Sequence, residues 1–193
     1  NDGGTWTKVS PSNFLYSVTC IAQDPRPGFQ DTWYYGTGEG LGNSASATSS
    51  FYFGFGVYKS TDNGTTWAKI LNTPYLEGAL ETFDSQFDIV SSLVVNPVNG
   101  DLYAGTLNTV MRLPFGTSSW VLELGAIAGT TTGVVDVKIG TDGVVYAAFP
   151  GNGARPTTAT SVANEGVWRR NTLGSWTRIA GGGTPAWFNV NTI

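Results

Sequence analysis

Gly56-Val57-Tyr58-Lys59-Ser60-Thr61-Asp62-Asn63-Gly64-Thr65-Thr66-Trp67-Ala68-Lys69-Ile70 is the stretch from which the fold can be read. Two β-rich runs flank an Asp-Asn-Gly corner, and an Asx-Gly step between such runs is the strongest short-range hairpin signal. The pattern recurs in degraded form at Gly166–Ile179 and Val110–Leu122, and its second half opens the chain at Asp2–Val9. Trp6, Trp67, Trp120 and Trp176 are spaced 61, 53 and 56 residues apart. A period near 50 in a strand-rich chain points to a propeller or array built from one supersecondary unit.

Working outward, each unit reads as four short strands. Ser17–Gln23 ends at Asp24-Pro25 and Ile89–Val95 ends at Asn96-Pro97. The second strands align as Tyr34-Tyr35-Gly36-Thr37, Leu102-Tyr103-Ala104-Gly105-Thr106 and Val145-Tyr146-Ala147-Ala148. The chain is therefore expected to be all-β, a β-propeller segment of three four-stranded blades over 17–71, 89–124 and 133–180. An outer strand over 4–9 and the inner strand of a next blade over 187–193 are expected to flank them. The ragged start, inside a repeat, suggests a fragment of a longer chain whose remainder closes the ring, with closure by another chain as the alternative.

Composition agrees with this class. Of 193 residues only 12 % are charged, 13 % are aromatic and 26 are glycine, which suits pleated, half-buried surfaces joined by tight corners. A net charge of −4 without a basic cluster argues against nucleic acid or an anionic membrane surface as partner. No apolar run is long enough to insert in a membrane as a helix. The absence of histidine removes Ser-His-Asp and Cys-His catalysis and His-ligated metal sites. The single cysteine, Cys20, lies among Val18, Ile21 and Ala22 and reads as a small buried hydrophobe.

Ser60-x-Asp62-x-Gly64-x-Thr66-Trp67 resembles the Asp box, or BNR repeat, of sialidase-like and sortilin-type propellers. Together with Ile21-Ala22-x-Asp24-Pro25 and Tyr35-Gly36-Thr37-Gly38-Glu39-Gly40, it is similar to the secreted bacterial sortilin/xyloglucanase-like group. Only the first unit carries a strict box: at 113–120 and 170–176 its Asp is missing. The resemblance implies an extracellular or cell-surface protein. The box itself reads as structural, with Asp62 accepting backbone N–H groups across its own turn and Trp67 packing between strands.

In an antiparallel meander, alternate connections leave by the same end of the sheet. The long ones, 37–53, 71–88 and 149–165, all fall opposite the Asp corner, and long loops on a rigid scaffold are where binding resides. Candidate ligand-binding residues there are Glu39, Asn43, Tyr52, Tyr75, Arg155 and Trp187, since aromatics beside carboxylates and amides suit sugars, peptides or protein partners alike. Glu39, Glu165 and Asp84 are the candidate catalytic carboxylates, as a glycosidase needs an opposed pair across a cleft. Glu77, Glu81, Asp84 and Asp88 read first as solvated charge. Ca²⁺ held by Asp84 and Asp88 is the alternative, and no other cofactor is expected. The leading expectation is a non-catalytic binding or scaffold module of a larger protein. The alternatives are a xyloglucanase-like glycoside hydrolase completed by parts outside this segment, and a sortilin-like peptide-binding propeller.

Overall fold

The computed structural model describes residues 4–9, 17–39, 52–73, 85–125, 134–149 and 165–181. They form three four-stranded antiparallel sheets, each a simple meander. The first contains β1 (Val18–Gln23), β2 (Trp33–Thr37), β3 (Val57–Ser60) and β4 (Ala68–Lys69). The second contains β5 (Val90–Val95), β6 (Leu102–Thr106), β7 (Thr109–Leu113) and β8 (Val121–Gly125). The third contains β9 (Asp136–Ile139), β10 (Val145–Phe149), β11 (Gly166–Arg170) and β12 (Trp176–Ala180). Helix among the described residues is confined to one 3₁₀ turn, Gln86–Asp88. The chain is all-β, a segment of a β-propeller.

The sheets stack as blades because each first strand lies beside the next. Thr19 Oγ1 donates to the Gly36 carbonyl of its own blade and to the Val90 carbonyl of the second. Ser91 repeats this, donating to Gly105 O at 3.0 Å and to Val135 O of the third blade at 2.6 Å. Both hydroxyls sit in a β-bulge near the start of the inner strand, between Val18 and Cys20 and between Val90 and Ser92. The extra residue aims a side chain out of the ladder and across the boundary. Neighbouring glycines make the approach possible. A Cβ at Gly105 would lie 2.1 Å from Val135 O, and one at Gly36 would lie 2.6 Å from Val90 Cγ1.

Packing on both faces explains why the second strands read as continuous apolar runs. All five residues of β6 are buried. One core, between the first and second blades, gathers Tyr34, Val57, Val90, Leu93, Leu102 and Met111. The next gathers Tyr103, Val110, Val137, Val145, Ala147 and Phe149. Each such side chain taken fully from water contributes roughly 1.5–3 kcal/mol, so the two blade boundaries dominate stability. The Asx-Pro turns add polar ties between blades. Asp24, buried, holds Arg26, which donates to Asn99 O at 3.1 Å in the second blade. Asn96, equally buried, donates to Gly143 O at 3.3 Å in the third.

Two details differ from the sequence reading. No strand forms over 4–9, and Trp6 is 91 % exposed, unlike Trp67, Trp120 and Trp176, which pack against cores. Among the described residues no strand pairs with this segment. In the third blade the missing Asp is replaced functionally by Asn171, whose Oδ1 accepts from Leu173 N at 3.0 Å and Ser175 N at 2.9 Å. The amide oxygen caps the turn as the carboxylate of Asp62 does, which the sequence reading missed by looking for Asp alone. The strand expected over 187–193 lies outside the described residues.

Candidate functional site

The first blade separates its two ends chemically. At one end Ser60, Asp62, Gly64, Thr66 and Trp67 close on themselves. Asp62 Oδ1 accepts from Thr66 N at 2.9 Å and Ser60 Oγ at 2.7 Å, and Oδ2 accepts from Thr66 Oγ1 at 2.6 Å. Trp67 Nε1 donates to Gly64 O at 3.1 Å, and its ring tilts over Tyr35. Asn63 and Gly64 take φ of 56° and 82°, the left-handed conformation that Asn and Gly tolerate. The bonds from Thr66 and Ser60 pull the Asp62 carboxyl down to about 2. Both oxygens of this carboxylate bond within the turn itself, which fits a structural role.

At the opposite end β2 runs out through Thr37 to Glu39. Glu39 and Tyr52 form an isolated antiparallel bridge, with Glu39 N donating to Tyr52 O at 2.8 Å and Tyr52 N donating to Glu39 O at 3.0 Å. A pair that exchanges both bonds carries its side chains on the same face of the ladder, with Cα atoms about 5.5 Å apart. Tyr52 is 53 % exposed, and the half-buried Glu39 accepts from Ser17 Oγ at 3.2 Å. An exposed aromatic ring and an oriented carboxylate are thus held side by side on paired backbone. Ser17 is the member that sequence reasoning did not single out; its place at the head of an inner strand was the available signal.

Asp88 behaves differently. It is buried, and its Oδ2 accepts from Ser85 N at 3.0 Å while Ser85 Oγ accepts from Phe87 N, a capping box at the start of the 3₁₀ turn that precedes β5. Its carbonyl accepts from Gly54 N at 2.7 Å, tying the second blade's entry to the segment after Tyr52. Asp88 is therefore built into the scaffold. Among the described residues, no group of three His, Cys, Asp or Glu side chains is placed to hold a metal ion. Glu165 is buried at the head of β11 in the third blade, two blades from Glu39. Asn43, Tyr75, Glu77, Glu81, Asp84, Arg155 and Trp187 lie outside the described residues.

A second cluster of charge sits between blades. Glu123 accepts from Arg112 Nε, from Arg170 Nε at 2.7 Å and from Trp176 Nε1 at 3.2 Å. Burial pushes the Glu123 carboxyl up, but the hydrogen bonds and charges of Arg170 and Arg112 outweigh it and leave it below the usual glutamate value. Cys20 packs against the first core, and burial raises its thiol to about 11, so it is a packed hydrophobe at neutral pH. No helix among the described residues is long and apolar enough to cross a membrane.

No family model matches the chain, and no curated protein matches it. Solved structures do. The GH74 xyloglucanase from Xanthomonas campestris superposes with a TM-score of 0.52 at 19 % identity, over 90 % of this chain and 24 % of that one. The GH74 enzyme of Niastella koreensis gives 0.47 at 18 % identity, over 86 % and 30 % of the two chains. An ancestral GH74 enzyme gives 0.48 at 19 %, over 85 % and 20 %. The class of protein defined at this level is the β-propeller. The chain spans about a quarter of the length of the Xanthomonas enzyme.

Proposed function

We propose that this chain is part of a larger secreted propeller of the glycoside-hydrolase type, and that the Glu39–Tyr52 end of its first blade binds a neutral polysaccharide. The observation that carries the reading is the reciprocal Glu39–Tyr52 bridge, which sets an exposed ring and a carboxylate on one face. A pyranose offers an apolar C–H face to such a ring and hydroxyl donors to such a carboxylate. A net charge of −4 disfavours an acidic glycan. The likeness in fold to a xyloglucanase supports carbohydrate as the ligand class. In this reading the Ser60–Trp67 turn is an Asp box with a structural role, at the end of β3 remote from the ligand.

Binding without catalysis is the primary reading, because among the described residues the candidate carboxylates stand apart: Asp88 in a cap, Glu165 buried two blades away, Glu39 beside a ring. The second reading is a hydrolase in which Glu39 acts with a carboxylate from outside this segment. The fold of the Xanthomonas enzyme favours it. Affinity electrophoresis of the chain through gels containing xyloglucan, mixed-linkage glucan or galactomannan tests the first reading. Retardation by at least one, lost in Tyr52→Ala, is expected; unchanged mobility in all three sinks it. Reducing ends released from a retarding polysaccharide by the whole gene product, and abolished by Glu39→Gln, would favour the hydrolase.

A further inference from the structure

The Glu39–Tyr52 bridge has a neighbour across the blade boundary. The Asp88 carbonyl, at the entry to the second blade, accepts from Gly54 N at 2.7 Å. A Cβ at Gly38 would lie 1.9 Å from that same oxygen, and one at Gly54 would lie 2.3 Å from the Thr37 carbonyl carbon. A side chain fits at neither place, so the backbone beside the bridge lies directly against the 3₁₀ turn Gln86–Asp88. The turn itself is held on both sides. Phe87 is buried in the core between the first two blades, its ring tilted against Trp120 at 4.9 Å. Asp88 accepts from Ser85 N, and Ser85 Oγ accepts from Phe87 N at 3.2 Å. Gln86 is the remaining member. It is half-buried, and its side-chain amide has no hydrogen-bond partner among the described residues.

We propose that Gln86 is a second carbohydrate contact, so that a polysaccharide held by Tyr52 and Glu39 runs across the boundary from the first blade onto the second. This rests on the reading of the Glu39–Tyr52 end as a polysaccharide site, and it adds the direction of the bound chain and the residue that meets it. A primary amide offers one acceptor and two donors without charge, which matches hydroxyls that both give and take hydrogen bonds. An apolar ligand would bury that amide without satisfying it. The backbone that carries Gln86 is already fixed by Phe87 and by the Ser85–Asp88 cap, so less freedom is lost when the ligand arrives. Glu39 is prepared in the same way. Ser17 Oγ donates to its Oε2 at 3.2 Å, while Oε1 has no hydrogen-bond partner among the described residues. One sugar therefore meets the Tyr52 ring and Glu39 Oε1, and a later sugar of the same chain meets Gln86.

Affinity electrophoresis of the intact gene product in xyloglucan, mixed-linkage glucan and galactomannan gels, run beside thermal unfolding, tests this. In the polymer that retards the parent, Gln86→Ala and Gln86→Glu should each weaken binding about fivefold, the loss of one hydrogen bond. Their melting temperatures should match the parent's. Titration with oligosaccharides of increasing length separates the two contacts. Gln86→Ala should keep the parent's affinity for the shortest sugar that binds and lose the gain that longer ones bring. The losses in Gln86→Ala and Tyr52→Ala should add in the double variant, because the two side chains touch different rings. Retardation of Gln86→Ala equal to that of the parent overturns the proposal and leaves the Glu39–Tyr52 end standing. A lowered melting temperature in Gln86→Glu overturns it too, since the amide would then serve the fold. A parent that no polymer retards removes the polysaccharide reading itself, and Gln86 with it.

Discussion

Glu123 on the outer strand of the second blade accepts a 2.7 Å hydrogen bond from Arg170 Nε on the third. The same carboxylate accepts from Arg112 of its own blade, which also donates to Asp101 at 3.0 Å. Two guanidinium groups and an indole N–H converge on one side chain that is 6 % exposed. Removing it leaves two arginines without their shared counter-charge at a blade boundary. Glu123→Ala should cost about 3–5 kcal/mol, the range for breaking a buried pair on one side, measured by urea denaturation. Because the folded carboxyl sits below its ordinary value, this contribution is present above the unfolded glutamate pKa and is lost as pH falls through the folded one. A variant within 1 kcal/mol of the parent would show the cluster to be solvated.

Gly105 faces the same boundary from the second strand. A methyl group there meets Val135 O at 2.1 Å and Ser92 Oγ at 2.4 Å. Gly105→Ala should destabilise by about 1–3 kcal/mol through overpacking, despite the usual benefit of replacing glycine in a strand. Ala148, at the corresponding register of the third blade, should tolerate reversion to glycine with a smaller effect. Thermal unfolding of the two variants side by side decides it, and equal shifts would remove the boundary argument.

Asp62 and Asn171 cap equivalent turns with different chemistry. The Asp62 carboxyl is held at about 2, against an ordinary 3.8, by Thr66 and Ser60. Its stabilisation is therefore complete above about pH 4 and is lost as pH falls toward about 2. Asp62→Asn should keep most of the cap but flatten the acid limb of the stability profile, while Asp62→Ala lowers stability throughout. An unaltered acid limb in Asp62→Asn would show that Asp62 contributes nothing to it.

Cys20 and Ser92 occupy corresponding positions just after the bulges, and both donate to the following blade. Cys20→Ser should stay within about 1 kcal/mol of the parent, because the second blade already folds with a hydroxyl there. With its thiol raised to about 11, Cys20 should react with Ellman's reagent at pH 8 only after unfolding. Fast labelling of the folded protein contradicts the packed role.

Tyr52→Ala should weaken polysaccharide binding about tenfold, the loss of one aromatic contact of about 1.4 kcal/mol. Tyr52→Trp should preserve it. Glu39→Gln should weaken it less, since the amide oxygen still accepts from a sugar hydroxyl. Isothermal titration with an oligosaccharide of the retarding polymer distinguishes these, and equal affinities for parent and Tyr52→Ala would place the ligand elsewhere.

The residues alone determined the meander and its period. Corners such as Asp62-Asn63-Gly64 act locally, and β-branched and aromatic runs on both sides force hairpins whatever surrounds them. Trp67, Trp120 and Trp176 mark that unit because each must bury a large ring beside a strand. Tertiary structure decided what the pattern leaves open. Trp6 has a similar local sequence, but among the described residues no strand pairs with its segment, and Asn171 became a cap because a neighbouring backbone turned its N–H groups toward an amide. Glu123 binds Arg170 because stacking brings together side chains 47 residues apart. The pairing of Glu39 with Tyr52 likewise required two ends of a long connection to meet. Hairpin periodicity is a property of adjacent residues, but a charge cluster or a binding end depends on which blade faces which, and only the packed sheets set that.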